Sequence, residues 1–366
     1  MHKSLTLVVS VWLLVASVTH MDIARAATVK QYRLEKTEQG YRLALRDAPM
    51  PSPGAREVLV RVRATSLNRR DLLVKSGQYG GGADMSGIIP LSDGAGEVTA
   101  IGADVTRFKP GDRVAGIFFQ GWLAGKADAR AFATALGGAV DGMLSEYVVL
   151  SEDGLVRIPD YLSFEEAATL PCAGVTAWNG LFTRGHLQPG EIVLLEGTGG
   201  VSVFGLQFAV AAGAKAIITS SSDAKLARAR QLGAWHTVNY RTTPDWDKAV
   251  LRLTGGAGVD HVLEVGGEGT LPKALASLAY DGHVAYIGGL SGWGAQIPAA
   301  VLPFRTAQVS GIYVGSRADF EAMNVFLARH GLKPVIDKVF TFAEATAAYD
   351  YMESGTHFGK IVIRVP

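Results

Sequence analysis

Cysteine is almost absent from this 366-residue chain: Cys172 is the only one. A single thiol excludes an intramolecular disulfide, a four-cysteine zinc lobe and an iron–sulfur cluster. Histidine offers metals little more. Eight are present, none four apart on a helix or in an H-E-x-x-H pattern. An excess of one charge is missing too, because 35 basic residues face 34 acidic ones. That balance leaves no footprint for a nucleic acid and no polybasic tail. Beyond residue 26 no apolar run reaches the ~20 residues of a membrane span, and no internal repeat or low-complexity tract is present.

What the chain has is apolar bulk and glycine. Hydrophobic residues make up 48% and charged residues 19%, the latter below the ~25% of ordinary soluble domains. A large core is therefore available, and the length suggests two domains. Glycine numbers 44 without a G-X-Y period, which excludes collagen and points to tight turns and close backbone approaches. Residues 174–315 hold 23 of these glycines, residues 27–173 hold 18, and residues 316–366 only 3.

The first 26 residues stand apart. A basic start (Met1-His2-Lys3) precedes the uncharged run Leu5–Val18, and Ala24-Arg25-Ala26 fits a small-x-small cleavage site. This is the pattern of a secretory signal peptide, which predicts export and a mature start at Ala27. Its removal takes away Lys3, Asp22 and Arg25 and leaves no net charge. The alternative is a true start at Met21 and a cytoplasmic protein. No twin-arginine pair in this segment offers passage in the folded state.

From Gln31 to about Leu150 the pattern is β-rich, with Val58–Ala64 a strand and Pro110-Gly111-Asp112 a turn feeding another. Residues 121–143 read as a glycine- and alanine-rich loop or short helix. From Glu191 onward strands and helices alternate. Ile192–Leu195, Ala216–Thr219, His261–Val265 and Val284–Ile287 are the predicted strands, with helices at Val203–Ala212 and Ala224–Leu232 among them. Such alternation predicts a parallel, doubly wound sheet. After Ser316 the pattern is mixed again and ends in a strand, Lys360–Arg364.

The most informative segment runs from Val193 through Leu195 into Gly197-Thr198-Gly199-Gly200-Val201-Ser202 and an apolar helix. Glycines between a strand and a helix let the backbone approach a pyrophosphate, which then lies at the helix N-terminus. Ser202 stands where the usual motif ends in glycine. An NAD-selective site places a carboxylate at the end of the second strand. Here Ser220 and Ser221 take that place, with Lys225 one turn onward. Hydroxyls plus an ammonium suit a ribose 2′-phosphate and favour NADP(H) over NAD(H). The same serines would also serve as helix caps.

Six ordered segments then resemble the medium-chain dehydrogenases/reductases. They are Ser66–Asp71, Gly94–Val98, Phe108–Val114, Leu170–Ala177, the Gly197 motif and Phe358-Gly359-Lys360. The resemblance covers roughly residues 29–366. It implies an α/β protein, with a GroES-like β-rich catalytic domain at 27–173 and a Rossmann cofactor domain at 174–315. Residues 316–366 would return to the catalytic domain. It also implies a homodimer or homotetramer acting on a small molecule. The zinc enzymes' first metal cysteine falls on Asn68, and their Gly-His-Glu falls on Leu91-Ser92-Asp93. Only Cys172 remains at a ligand position, and one thiolate does not make a three-ligand site.

The chain is therefore most similar to the zinc-free branch, the quinone oxidoreductases and enone or enoyl reductases. That resemblance implies NADPH-dependent hydride transfer without zinc. Alcohol dehydrogenation and non-catalytic NADPH binding are the alternatives. Asn68 and Asp71 fall at the family's Asn-x-x-Asp position beside the nicotinamide, and Tyr79 resembles the proton-donating tyrosine of enoyl thioester reductases. Thr176 matches a threonine near the nicotinamide, and a buried helical threonine explains it equally well. Ser220, Ser221, Lys225 and Tyr240 resemble the adenosine-phosphate site. Gly266, Gly267, Gly288 and Gly289 follow later strands where the family lets the cofactor approach, though strand-end turns need glycine too.

Overall fold

The computed structural model describes residues 27–297 and 300–366; the predicted signal segment lies outside them. Two sheets organise the molecule. The first runs in the order Ile336–Thr341, Lys360–Arg364, Glu57–Ser66, Asp93–Ile101, Arg113–Gly116 and Leu155–Arg157, with Tyr147–Ser151 also pairing to Glu57–Ser66. The hairpin Thr28–Thr37 and Gly40–Pro49 forms a two-stranded ladder of its own. Lys360–Arg364 lies antiparallel to the far earlier strand Glu57–Ser66. The C-terminus thus completes a sheet begun at the start of the chain.

The second sheet is wholly parallel, in the order His236–Asn239, Lys215–Ser220, Ile192–Leu195, Val259–Glu264, Leu278–Tyr286, Gln308–Gly311. Numbered along the chain that order is 3-2-1-4-5-6, the doubly wound dinucleotide-binding arrangement. Its central strand Ile192–Leu195 is apolar at every position because both faces are covered. Val193, Leu195, Ile218, Leu263 and Ala285 enter one core, while their neighbours Leu194, Ile217, Val262 and Val284 enter another. At ~1.5–3 kcal/mol for each fully buried large aliphatic, this two-sided burial outweighs the weak propensity of any four-residue strand. The helix Gly200–Ala211 covers the first face, and Gly205 lets it sit close. A methyl there would lie 2.6 Å from Leu263 Cδ1 and 2.8 Å from Leu195 Cδ2.

The predicted strands and helices all form, with ends shifted. Ala216–Thr219 extends to Lys215–Ser220, and Val284–Ile287 belongs to a longer strand, Leu278–Tyr286. The stretch 121–143 contains one short helix, Ala129–Phe132, capped by Asp128. No helix of the described residues is long and apolar enough to cross a membrane.

Candidate active site

The two sheets meet at the glycine loop. Gly359 N–H donates to the Thr198 carbonyl (3.0 Å), and Gly199 and Gly359 form a parallel bridge. Gly197 adopts the left-handed φ of 73° that a side chain resists. A methyl added at Gly197 or Gly199 would meet nothing within 4 Å. The loop therefore faces open space at the N-terminus of Gly200–Ala211, which suits a pyrophosphate. Gly200 differs, since a methyl there would lie 2.7 Å from Lys360 Cδ. Val201 continues the helix. Ser202 is buried and donates to the Glu196 carbonyl (2.6 Å), tying the first helical turn to the strand end. Close helix–sheet contact, the usual duty of the third glycine, falls to Gly205.

At the end of the neighbouring strand Lys215–Ser220, Thr219 Oγ1 accepts from Gly197 N–H (3.2 Å). The Ser220 hydroxyl lies 3.4 Å from that of Thr198. Ser221 is half-buried and Tyr240 exposed. Ser222 caps the helix Asp223–Gln231. Asp223 accepts from Asn239 Nδ2 (2.8 Å). Lys225 does not stand free: its ammonium donates to the Gly355 carbonyl across the cleft (2.6 Å).

The four later glycines behave differently from Gly197 and Gly199. Gly266 and Gly267 donate their N–H groups to Glu264 Oε1 (3.0 and 2.8 Å). Methyls on Gly267, Gly288 and Gly289 would fall within 2.7 Å of other protein atoms. Packing of the turns against one another already requires these glycines. Glu264 also faces Glu196, and burial together with that neighbouring carboxylate pushes the Glu196 pKa well above its ordinary value. This acid pair under the glycine loop carries no motif and is invisible to sequence reasoning.

On the catalytic side, the strand Glu57–Ser66 ends just before Asn68, the residue preceding the helix Arg69–Lys75. Asp71 Oδ2 accepts from the Asn68 backbone N–H (2.7 Å). Asp71 is 1% exposed and its Oδ1 has no partner. Burial accordingly raises its pKa to about 6, against the opposing pull of Arg70. The Asn68 side chain is fixed by a residue nearly the whole chain away. Lys360 Nζ donates to Asn68 Oδ1 (2.6 Å) and to the Leu67 carbonyl (2.7 Å), and lies 3.7 Å from Asp93 Oδ2. Asp93 accepts from Ser92 Oγ (2.8 Å) and from Cys172 N–H (3.3 Å). Burial pushes the Asp93 carboxyl up, opposed chiefly by the Lys360 ammonium. Burial and Asp93 push the Cys172 thiol far above its ordinary range. Asn68 and Asp93 thus meet at the Lys360 ammonium, and Cys172 joins them through its backbone N–H on Asp93. Lys360 was visible in sequence only as part of a closing motif, without a role.

Tyr79 meets a partner from the other sheet system: its hydroxyl is hydrogen-bonded to that of Tyr313. The Arg70 guanidinium lies 4.7 Å from the Tyr79 ring centre and 4.6 Å from that of Phe118. Tyr313 packs edge-on to Phe119 (4.9 Å) and against Phe132 (5.5 Å), and burial raises its pKa. Thr176 is buried in the short helix Val175–Trp178. Two buried, non-glycine residues beside this cleft adopt left-handed backbone: Leu91 (φ 69°), two residues before Asp93, and Val314 (φ 58°), next to Tyr313. Each costs roughly 1–3 kcal/mol, and packing around the cleft holds them there.

Comparison with known proteins agrees with this layout. An alcohol dehydrogenase GroES-like domain model matches residues 54–160 and a zinc-binding dehydrogenase model matches residues 200–329. A zinc-type alcohol dehydrogenase-like protein of Schizosaccharomyces pombe is 47% identical over 86% of this chain and 92% of its own length. A quinone oxidoreductase of Pseudomonas aeruginosa is 34% identical over 88% of this chain and 95% of its own. A Sinorhizobium meliloti structure described as an alcohol dehydrogenase superposes with a TM-score of 0.86 at 44% identity, covering 92% of this chain and 98% of that one.

Proposed function

We propose, from the premise that this chain belongs to the medium-chain dehydrogenase/reductase superfamily and is a nicotinamide-dependent oxidoreductase, that it reduces a quinone or an α,β-unsaturated carbonyl with NADPH and without zinc. One observation carries this reading: the donor set where the superfamily's zinc enzymes bind their metal. Asn68 and Asp93 face the Lys360 ammonium, and Cys172 meets Asp93 through its backbone N–H, with burial and that carboxyl pushing its thiol pKa up. A divalent ion there would face a fixed positive charge. Among the described residues, no group of three or more His, Cys, Asp or Glu side chains is disposed to hold a metal.

A dinucleotide fits the open cradle at Gly197 and Gly199, with Thr198 and Ser220 beside it. Thr176 would lie near the nicotinamide. Bound there, the reduced nicotinamide supplies a hydride and its two electrons. The acceptor then develops negative charge on oxygen, and hydrogen-bond donors aimed at that oxygen stabilise it. Asn68 Nδ2 would be such a donor: it is buried beside the Asp93 carboxyl and makes no hydrogen bond in the protein. Tyr79, paired to Tyr313, supplies the proton that completes the reduction. The hydroxyls of Ser220 and Ser221 and the Lys225 ammonium favour the 2′-phosphate of NADPH. The alcohol dehydrogenase reading would need a base and an alkoxide stabiliser in the same place. The exposed Tyr280 and Phe304, on elements beside the edge strand Gln308–Gly311, support a homo-oligomer.

The test is direct. Purified protein is incubated with NADPH and a panel of quinones, enones and aldehydes, and separately with NADP and alcohols, while its metal content is measured. Oxidation of NADPH by quinones or enones, with zinc far below one equivalent, is expected. Alcohol oxidation at stoichiometric zinc would overturn the proposal. Tight NADPH binding with no turnover would make the chain a binding protein.

A further inference from the structure

We infer that Lys360 is the positioning residue of the active site, a built-in cation that stands in the metal's place and sets the Asn68 amide to present its N–H group to the acceptor oxygen. The inference rests on the proposed reduction and adds a residue to it.

The argument starts from donor count. An ammonium has three N–H donors and no acceptor. Lys360 spends two of them on the Leu67 carbonyl and Asn68 Oδ1 and faces Asp93 Oδ2 at 3.7 Å. An ammonium can face only the oxygen of an amide. The amide orientation is therefore dictated by chemistry, and Nδ2 must face away from the ammonium. That atom is buried and makes no hydrogen bond in the protein. Removing Lys360 would free the amide to rotate and offer its oxygen, an acceptor that repels a developing oxyanion.

Burial makes the device rigid. Lys360 is 3% exposed and Asp93 is fully buried. Ser92, the Cys172 N–H and the adjoining backbone hold Asp93 in turn. Lys360 follows Gly359, whose N–H binds the Thr198 carbonyl in the pyrophosphate loop, so the cofactor loop and the ammonium are adjacent along one strand start. A different role is thus conceivable on the same geometry, that of a pyrophosphate ligand, and the two predict different kinetics. A phosphate ligand affects cofactor affinity. A residue acting through Asn68 affects turnover, and only while Asn68 is present.

The experiment is a double-mutant cycle on the full chain, with NADPH and whichever acceptor the wild type reduces fastest. NADPH affinity is measured separately by fluorescence titration. Lys360→Met and Asn68→Ala should each lower kcat on the order of a hundredfold, the scale of losing one oxyanion donor. NADPH affinity should stay within about twofold, and the double variant should be no slower than the slower single. Lys360→Arg, which keeps the charge, should recover part of the loss. Because Lys360→Met leaves Asp93 unpaired, the neutral pair Asp93→Asn/Lys360→Met is made alongside it and should show the same loss of turnover.

Weakened NADPH binding with kcat preserved would make Lys360 a cofactor ligand and overturn the inference. So would losses that multiply in the double variant. Failure of both Lys360→Met and the neutral pair to fold, judged by circular dichroism, would assign Lys360 to folding instead. Should the wild type oxidise alcohols and reduce no acceptor, the proposed reaction fails. The cycle, run in that direction, still judges Lys360.

Discussion

Asp71 offers a measurable consequence of placing a carboxyl where nothing fully satisfies it. The residue is 1% exposed, one oxygen accepts the Asn68 N–H, and the other has no partner. Its pKa rises from an ordinary 3.8 to about 6, with burial the main cause. The folded protein therefore binds this proton more tightly than the unfolded chain does. As pH climbs from about 4 to about 6 the unfolded state loses the proton first, and the folded state is progressively disfavoured. Above pH 6 the penalty is complete. At ~1.4 kcal/mol per pH unit, a shift of about two units amounts to roughly 3 kcal/mol. Asp71→Asn keeps an oxygen for the Asn68 N–H and removes the charge. The variant should be more stable than the wild type at pH 8 by about 1–3 kcal/mol, and the difference should close toward pH 4. Urea titrations of both proteins from pH 8 down to pH 4.5, followed by tryptophan fluorescence, read this difference while other titrating groups cancel. A gap constant across that range, or a variant weaker at pH 8, would refute the burial argument.

Lys225→Ala should weaken NADPH binding by roughly 10- to 150-fold, the value of a charge-assisted hydrogen bond of about 1.5–3 kcal/mol, with NADH binding within about twofold. Equal effects on both cofactors would show that the Lys225–Gly355 contact is its whole role. Tyr79→Phe should lower kcat by about 10²-fold or more, as loss of a general acid does, and spare NADPH affinity. Undiminished turnover removes Tyr79 from the chemistry. Mass analysis of the mature N-terminus from the native host should find Ala27, in keeping with export; a start at Met1 or Met21 would count against it.

How far the sequence reaches can be judged from particular residues. Ile192–Leu195 is apolar at every position because both faces are covered. A four-residue run of that kind, followed by Gly-x-Gly-Gly and an apolar helix, is local information that survives in one dimension. Ser202 shows the limit of reading a motif by its letters. Its place looked like a defect, yet its hydroxyl binds the Glu196 carbonyl and Gly205 supplies the close packing. Lys225 showed its charge in the sequence but not its hold on Gly355. Gly266, Gly267, Gly288 and Gly289 were legible as strand-end glycines, and the structure crowds them with protein atoms where Gly197 and Gly199 face open space.

By itself, then, the sequence determined the class of fold and the strand–glycine loop–helix unit, since both depend on residue types at short spacing. Tertiary structure alone decided what stands at the centre of the site. Lys360 reaches Asn68 across 292 residues, and Tyr313 reaches Tyr79 across 234. Those meetings follow from the C-terminal strand joining Glu57–Ser66 and from the close approach of the two sheets at Gly199 and Gly359. Strand register and interdomain packing are set by the summed burial of whole faces, and no local pattern at Lys360 or Tyr313 announces the partner each will find.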